Sequence, residues 1–182
     1  MKVTLTHDGK SVELDLTAEQ MTALGLKEEK KKTGYERAKF DWAGDRIGVA
    51  DYYFVWGDGE IGQAVDNKQV LTNKYFNEAN YYTDRDLACA NARADRLMRQ
   101  LRRFAAENGG IPSMEDWEKT HDKDKYGIYY DYKDHQLYIS CLIRCRHSFE
   151  IYFNDRSDAQ MAIDKFRDEL IWYFTEYEAM LR

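Results

Sequence analysis

The sequence predicts an α+β protein: antiparallel hairpins packed by two long helices, preceded by a small ββα unit. Three observations carry this. Tyr-rich, strand-forming runs flank the turn signals Gly57-Asp58-Gly59 and Lys133-Asp134-His135. Two stretches, about 84–107 and 157–181, repeat apolar residues at helical spacing. The opening residues alternate, turn and alternate again before a helix-start signal. Composition agrees, since 14 Tyr, 8 Phe and 4 Trp against one proline, Pro112, suit sheets whose faces carry amphipathic rings.

The 182 residues suffice for one well-cored domain, or one domain with a small appendage. In residues 1–26, Val3 and Leu5 alternate with polar neighbours and His7-Asp8-Gly9-Lys10 supplies the turn. Val12, Leu14 and Leu16 then alternate again, Thr17-Ala18-Glu19-Gln20 is a capping box, and Gly25 closes the short helix. The charged run KEEKKKTG, 27–34, reads as a linker to a main domain over 35–182. There, strands at 51–56 and 60–65 form the first hairpin, and a polar loop leads to Tyr81-Tyr82. A long helix follows from about 84 to 107, closed by Asn108-Gly109-Gly110 and Pro112. Strands at 126–132 and 136–143 make the second hairpin, and a third strand at 148–153 leads into the last helix. Ser157-Asp158-Ala159-Gln160 is the expected capping box of that helix.

YYTDRDLA (81–88) and YFNDRSDA (152–159) share Tyr, Asp, Arg and Ala at four of eight positions. The match is open to two readings: stereotyped caps recurring at two helix starts, or a pair of hairpin-plus-helix modules.

Charge raises the functional question. A net charge of −6 works against adhesion to nucleic acid over the whole surface, so any such contact must be local. The stretch RADRLMRQLRRF, 93–104, is the place for one. With about 100° per residue, Leu87, Ala90, Ala94, Leu97, Met98, Leu101, Phe104 and Ala105 fall on one stripe. Arg93, Arg96, Arg99 and Arg103 fall opposite, with Arg102 between. Only Asp95 offsets these five arginines, leaving the ridge locally +4. Such a ridge is either a solvated face pairing with acids on neighbouring elements, or a surface for phosphates or a carboxylate-rich partner. Without a groove-reading motif it would hold a backbone and read no sequence.

In the last helix Ala159, Ala162, Ile163, Phe166, Leu170, Phe174, Tyr177 and Leu181 line one stripe. Ile171 and Trp172 sit away from it, and mark either a second packing neighbour or, if exposed, an anchor for protein docking or self-association.

The pattern points away from an enzyme. Cys141, Cys145 and His147 share a sheet face, but no second Cys or His pair completes a zinc tetrad, and His121 and His135 are isolated. No phosphate-binding glycine loop, nucleophile elbow or metalloprotease motif occurs, and Asp51, Asp58, Asp116 and Asp131 have no acid–base spacing. No metal or cofactor is therefore expected. No apolar run reaches membrane-spanning length, and MKVTLTHDGK lacks a signal-peptide core. Three cysteines, an odd number, fit a reducing cytoplasm.

With the elements placed, VELDLTAEQMTALGL, KKTGYERA, DYYFVWGDGEI, ANYYTDRDLACANARADRLMRQLRRFAAENGG and DELIWYFTEY resemble a family of small proteins carried by phages and mobile elements of Firmicutes. Within it, the chain is similar in size and character to type II-A anti-CRISPR proteins, inhibitors of the RNA-guided DNA nuclease. The resemblance implies a non-enzymatic protein that binds the type II CRISPR effector nuclease and blocks cleavage, in the host cytoplasm. It leaves two routes open: contact with DNA or guide RNA backbone, for which the arginine ridge is suited, or a carboxylate-rich surface competing for the nuclease's basic channel, which the overall acidity fits. It transfers no catalytic or ligand residues. Beside it stand a nucleic-acid-binding accessory protein using the ridge and a self-associating structural protein.

Overall fold

The computed structural model describes residues 2–7, 10–17, 20, 23, 32–37, 39–40, 46–47, 51–118, 124–142 and 151–181. The chain divides into two compact units, 1–33 and 34–182. In the first, β1 (Lys2–His7) and β2 (Lys10–Asp15) pair antiparallel with Val3 opposite Leu14 and Leu5 opposite Val12. Thr17 and Gln20 then exchange hydrogen bonds: the Thr17 amide donates to the Gln20 side chain at 2.9 Å and the Gln20 amide to the Thr17 hydroxyl at 3.3 Å. That is the capping box in operation. Of the expected helix the described residues include Gln20 and Ala23, both helical, and the closing Gly25 lies outside them.

The larger unit is an α+β fold of antiparallel sheets and helices. It begins with a two-residue ladder that the sequence did not suggest, β3 (Lys39–Phe40) with β4 (Arg46–Ile47). The first hairpin follows as expected, β5 (Asp51–Val55) against β6 (Ile61–Val65). Alternation gives it two packed faces. Tyr52 and Phe54 meet Tyr75 and Tyr81 on one side, while Tyr53 and Val55 meet Leu87 and Ala88 on the other. Gly62 is required by the close approach of the Phe54 ring, which occupies the space a side chain would need.

Where the sequence suggested only a polar loop, a helix forms, α1 (Val70–Asn77). Its amphipathic pattern is faint because Val70 and Leu71 are exposed and only Thr72 is buried. Aromatic contacts hold it instead: Tyr75 stacks on Phe54 at 4.4 Å between centroids, and Phe76 meets Tyr81 edge-on at 5.5 Å. Beneath it Asp66, fully buried, accepts from Arg37 Nε at 3.1 Å, the Lys68 amide at 3.0 Å and the Tyr81 hydroxyl at 3.2 Å. Burial alone would raise its pKa. The hydrogen bonds from Arg37 and Lys68, the Arg37 charge and Tyr81 outweigh it and hold the carboxyl below its ordinary value.

Tyr82 forms an antiparallel bridge with Tyr53 and leads into α2 (Arg85–Glu107). Asp84 caps it, accepting from the Asp86 and Leu87 amides at 2.8 and 3.2 Å. Gly109 and Gly110, both at positive φ, turn the chain away, with the Gly110 amide donating to the Ala105 carbonyl.

The second half repeats this order. After a short α3 (Met114–Glu118), β7 (Lys125–Asp131) pairs with β8 (Gln136–Leu142) and, on its other edge, with β9 (Tyr152–Phe153). The expected third strand is thus described only at its end, since 143–150 lie outside the described residues. The last helix is α4 (Arg156–Trp172). Its N-cap is Asp155 rather than Ser157, which already lies inside the helix, so the expected capping box is not the one used. The helix kinks at Phe166 and widens into a π-helical turn, Tyr173–Tyr177, before α5 (Glu178–Met180). Side chains serve carbonyls there: Thr175 donates to Ile171 at 2.7 Å and Tyr132 to Phe174 at 2.6 Å. The wider turn also shifts the helical phase, which leaves Leu181 50% exposed instead of on the buried stripe. The main core joins Leu97, Leu101, Phe104 and Ala105 of α2 to Phe153, Ala159, Ala162, Ile163 and Leu170. Among the described residues, no helix is long and apolar enough to cross a membrane.

Candidate nucleic-acid interface

The α2 stripe is buried as its spacing requires, but so are Ala88 and Ala92 on the side opposite. The first hairpin covers Ala88, so the N-terminal half of α2 is enclosed on two flanks. This divides the five arginines into three classes.

Arg93 faces α4. Its Nε and Nη2 donate to the two carboxylate oxygens of Glu169 at 2.8 and 3.0 Å, a bidentate pair. Its guanidinium also lies 3.9 Å from the centre of the Trp172 ring. The Arg93 hydrogen bond, working against burial and with the charges of Arg93 and Arg96, holds Glu169 below the usual carboxylate range. Arg93 is thus held to α4 in a half-exposed pair and is not one of the unpaired cations that the ridge reading expected. Arg103 belongs to a second class, paired with Glu107 one turn on at 2.8 Å but exposed. Arg96, Arg99 and Arg102 are exposed and form no ion pair among the described residues.

The predicted docking anchor at Ile171 and Trp172 is also corrected. Trp172 is 8% exposed and packs on Ala90 and Ala94, and Ile171 is half-buried. The second packing neighbour is α2 itself. Around it, the Tyr177 hydroxyl donates to Asn91 at 3.0 Å. Burial, with Tyr35, Tyr173 and Asp95 nearby, pushes Tyr177 up to about 12, so this phenol remains a proton donor at neutral pH. This seam joins α2 to the π-helical turn and presents no open aromatic anchor.

One cation was missed. Arg85 opens α2, is exposed, and lies eleven residues before Arg96, a spacing that returns to within about 20° of the same helical face. That spacing is legible in the sequence, although Arg85 lies outside the arginine-dense stretch 93–104. Between the two arginines, Cys89 and the β5–β6 turn at Gly59, Glu60 and Ile61 border a cleft of about 410 Å3. Of the residues weighed as metal ligands, His121, Cys145 and His147 lie outside the described residues, and Cys141 is exposed. No family model, curated protein or solved structure matches the chain.

Proposed function

We propose that the protein is a non-enzymatic binding protein that lays the exposed arginines of α2 along a nucleic-acid backbone. One observation carries the reading: Arg96, Arg99 and Arg102 stand exposed without ion-pair partners among the described residues, in a chain of net charge −6. A guanidinium fork is suited to phosphate oxygens, and exposed guanidinium groups not held in an ion pair are available for them. The contact is to backbone, so it holds without selecting sequence.

The resemblance supports a setting for this contact, the type II CRISPR effector nuclease, whose guide–target duplex and displaced strand both offer backbone. In that setting the chain acts as an inhibitor from a phage or mobile element that occupies the nuclease complex and stops cleavage.

Two measurements test the reading in turn. Retardation of a DNA duplex is expected to weaken with salt and to lose most of its strength in R96E/R99E/R102E, the salt slope falling by about 3. Binding that ignores both salt and these substitutions overturns the ridge. Cleavage by the purified nuclease, titrated with the protein, tests the setting; unaltered cleavage at large molar excess removes that target.

A further inference from the structure

We propose that the cleft beneath the β5–β6 turn seats a phosphate of the bound strand between Arg85 and Arg96. This rests on the backbone-binding reading above and names its anchoring point. Residues 85, 89, 92 and 96 follow one another along a single face of α2, and they read Arg, Cys, Ala, Arg. Two guanidinium groups thus flank two small residues, which leaves room between the charges. The turn supplies the opposite wall. Gly59, at φ +91°, brings its backbone so close that a β-carbon there would lie 3.5 Å from Arg96 Nη2. The cleft is open to solvent, and its volume of about 410 Å3 has room for a phosphate group.

Arg85 is also poorly placed for helix stability. It occupies the first position of α2, where a cation opposes the helix dipole, and it makes no ion pair among the described residues. Glu60 lines the turn side of the cleft, where its carboxylate opposes an anion, so a phosphate is held from the α2 side alone. Arg85 and Arg96 fall within about 20° of one another, so with Arg85 the exposed arginines up to Arg102 extend over about 26 Å of α2. That length matches the rise of roughly eight base pairs at 3.4 Å each.

Cys89 makes the site directly readable. Its thiol lies half-buried at the cleft, whereas Cys141 is exposed on β8, so the second thiol is an internal control. Alkylation of each cysteine, followed by peptide mass spectrometry, is compared with and without a 20-base-pair DNA duplex, which is long enough to cover the whole row. Protection of Cys89 by about fivefold or more, with Cys141 unchanged, is the expected result, a factor worth about 1 kcal/mol in local occupancy. In parallel, R85E is expected to lower the salt slope of binding by about 1, while R85K retains most of it. R85E puts an acid at a helix start, where it favours folding, so circular dichroism should be unchanged. If binding stays salt-sensitive and falls in R99E/R102E while Cys89 is unprotected and R85E binds normally, the cleft is overturned and the ridge stands. If the wild-type protein shows no salt-sensitive binding, the ridge falls and the cleft with it.

Discussion

The strand-to-helix junctions at 81–88 and 152–159 carry the same four residues in the same structural roles. Tyr81 and Tyr152 are buried, Asp84 and Asp155 are N-caps, Arg85 and Arg156 open the helices, and Ala88 and Ala159 have no exposed surface. Each follows an antiparallel hairpin and pairs back onto its first strand, through Tyr82 with Tyr53 and through β9 with β7. The helices they launch differ. Asp84 makes two side-chain cap bonds and α2 runs unbroken; Asp155 makes none, and α4 kinks and widens. Shared local chemistry sets where a helix begins, and packing sets how it continues. Small residues let α2 pass between the first hairpin and α4, whereas Phe166, Trp172, Tyr173, Phe174 and Tyr177 load α4 with rings.

The strongest perturbation of the comparison is Phe153→Ala in the second module. Phe153 has no exposed surface and meets Phe104 of α2, so its loss is expected to cost about 3–5 kcal/mol by urea denaturation. In the first module Asp66→Ala is expected to cost roughly 3 kcal/mol, because the Arg37 and Tyr81 donors lose their acceptor. The same group separates the modules by pH. Its folded pKa lies below the ordinary 3.8, so its contribution is complete above that value and is lost as pH falls through the folded pKa. Hydrogen exchange on acidification should therefore open 51–82 before 125–172; the reverse order would break the distinction. Next, Asp84→Ala should cost about 1 kcal/mol and Asp155→Ala under about 0.5 kcal/mol, since only the first side chain caps. Equal losses in thermal melts would erase the difference between the junctions. Glu169→Ala is expected to cost only a few tenths of a kcal/mol, up to about 1 kcal/mol, for a half-exposed pair. It releases Arg93, so DNA retardation should strengthen slightly if the ridge binds backbone.

Much of the architecture was legible because it is local. Alternation marked the hairpins, Thr17 and Gln20 announced their capping box, and the α2 stripe followed from its period. What escaped depended on distant partners. Helix α1 has a faint pattern because rings from β5 and Tyr81 hold it. The Ser157 cap failed because the helix begins earlier, at Arg156. The candidate site was half legible: the spacing found the ridge but overlooked Arg85, and nothing local showed that the β5–β6 turn closes a cleft against it.

By itself the sequence determined that α2 is a helix with one apolar stripe and a surplus of arginines, because periodicity and charge are properties of neighbours along the chain. It could not decide which arginines are free. Arg93 and Arg96 stand one turn apart with the same chemistry, yet only Arg93 meets Glu169, 76 residues away. The packing of α4 against α2 makes that choice, since a carboxylate satisfies a guanidinium only where the fold delivers it within hydrogen-bonding reach.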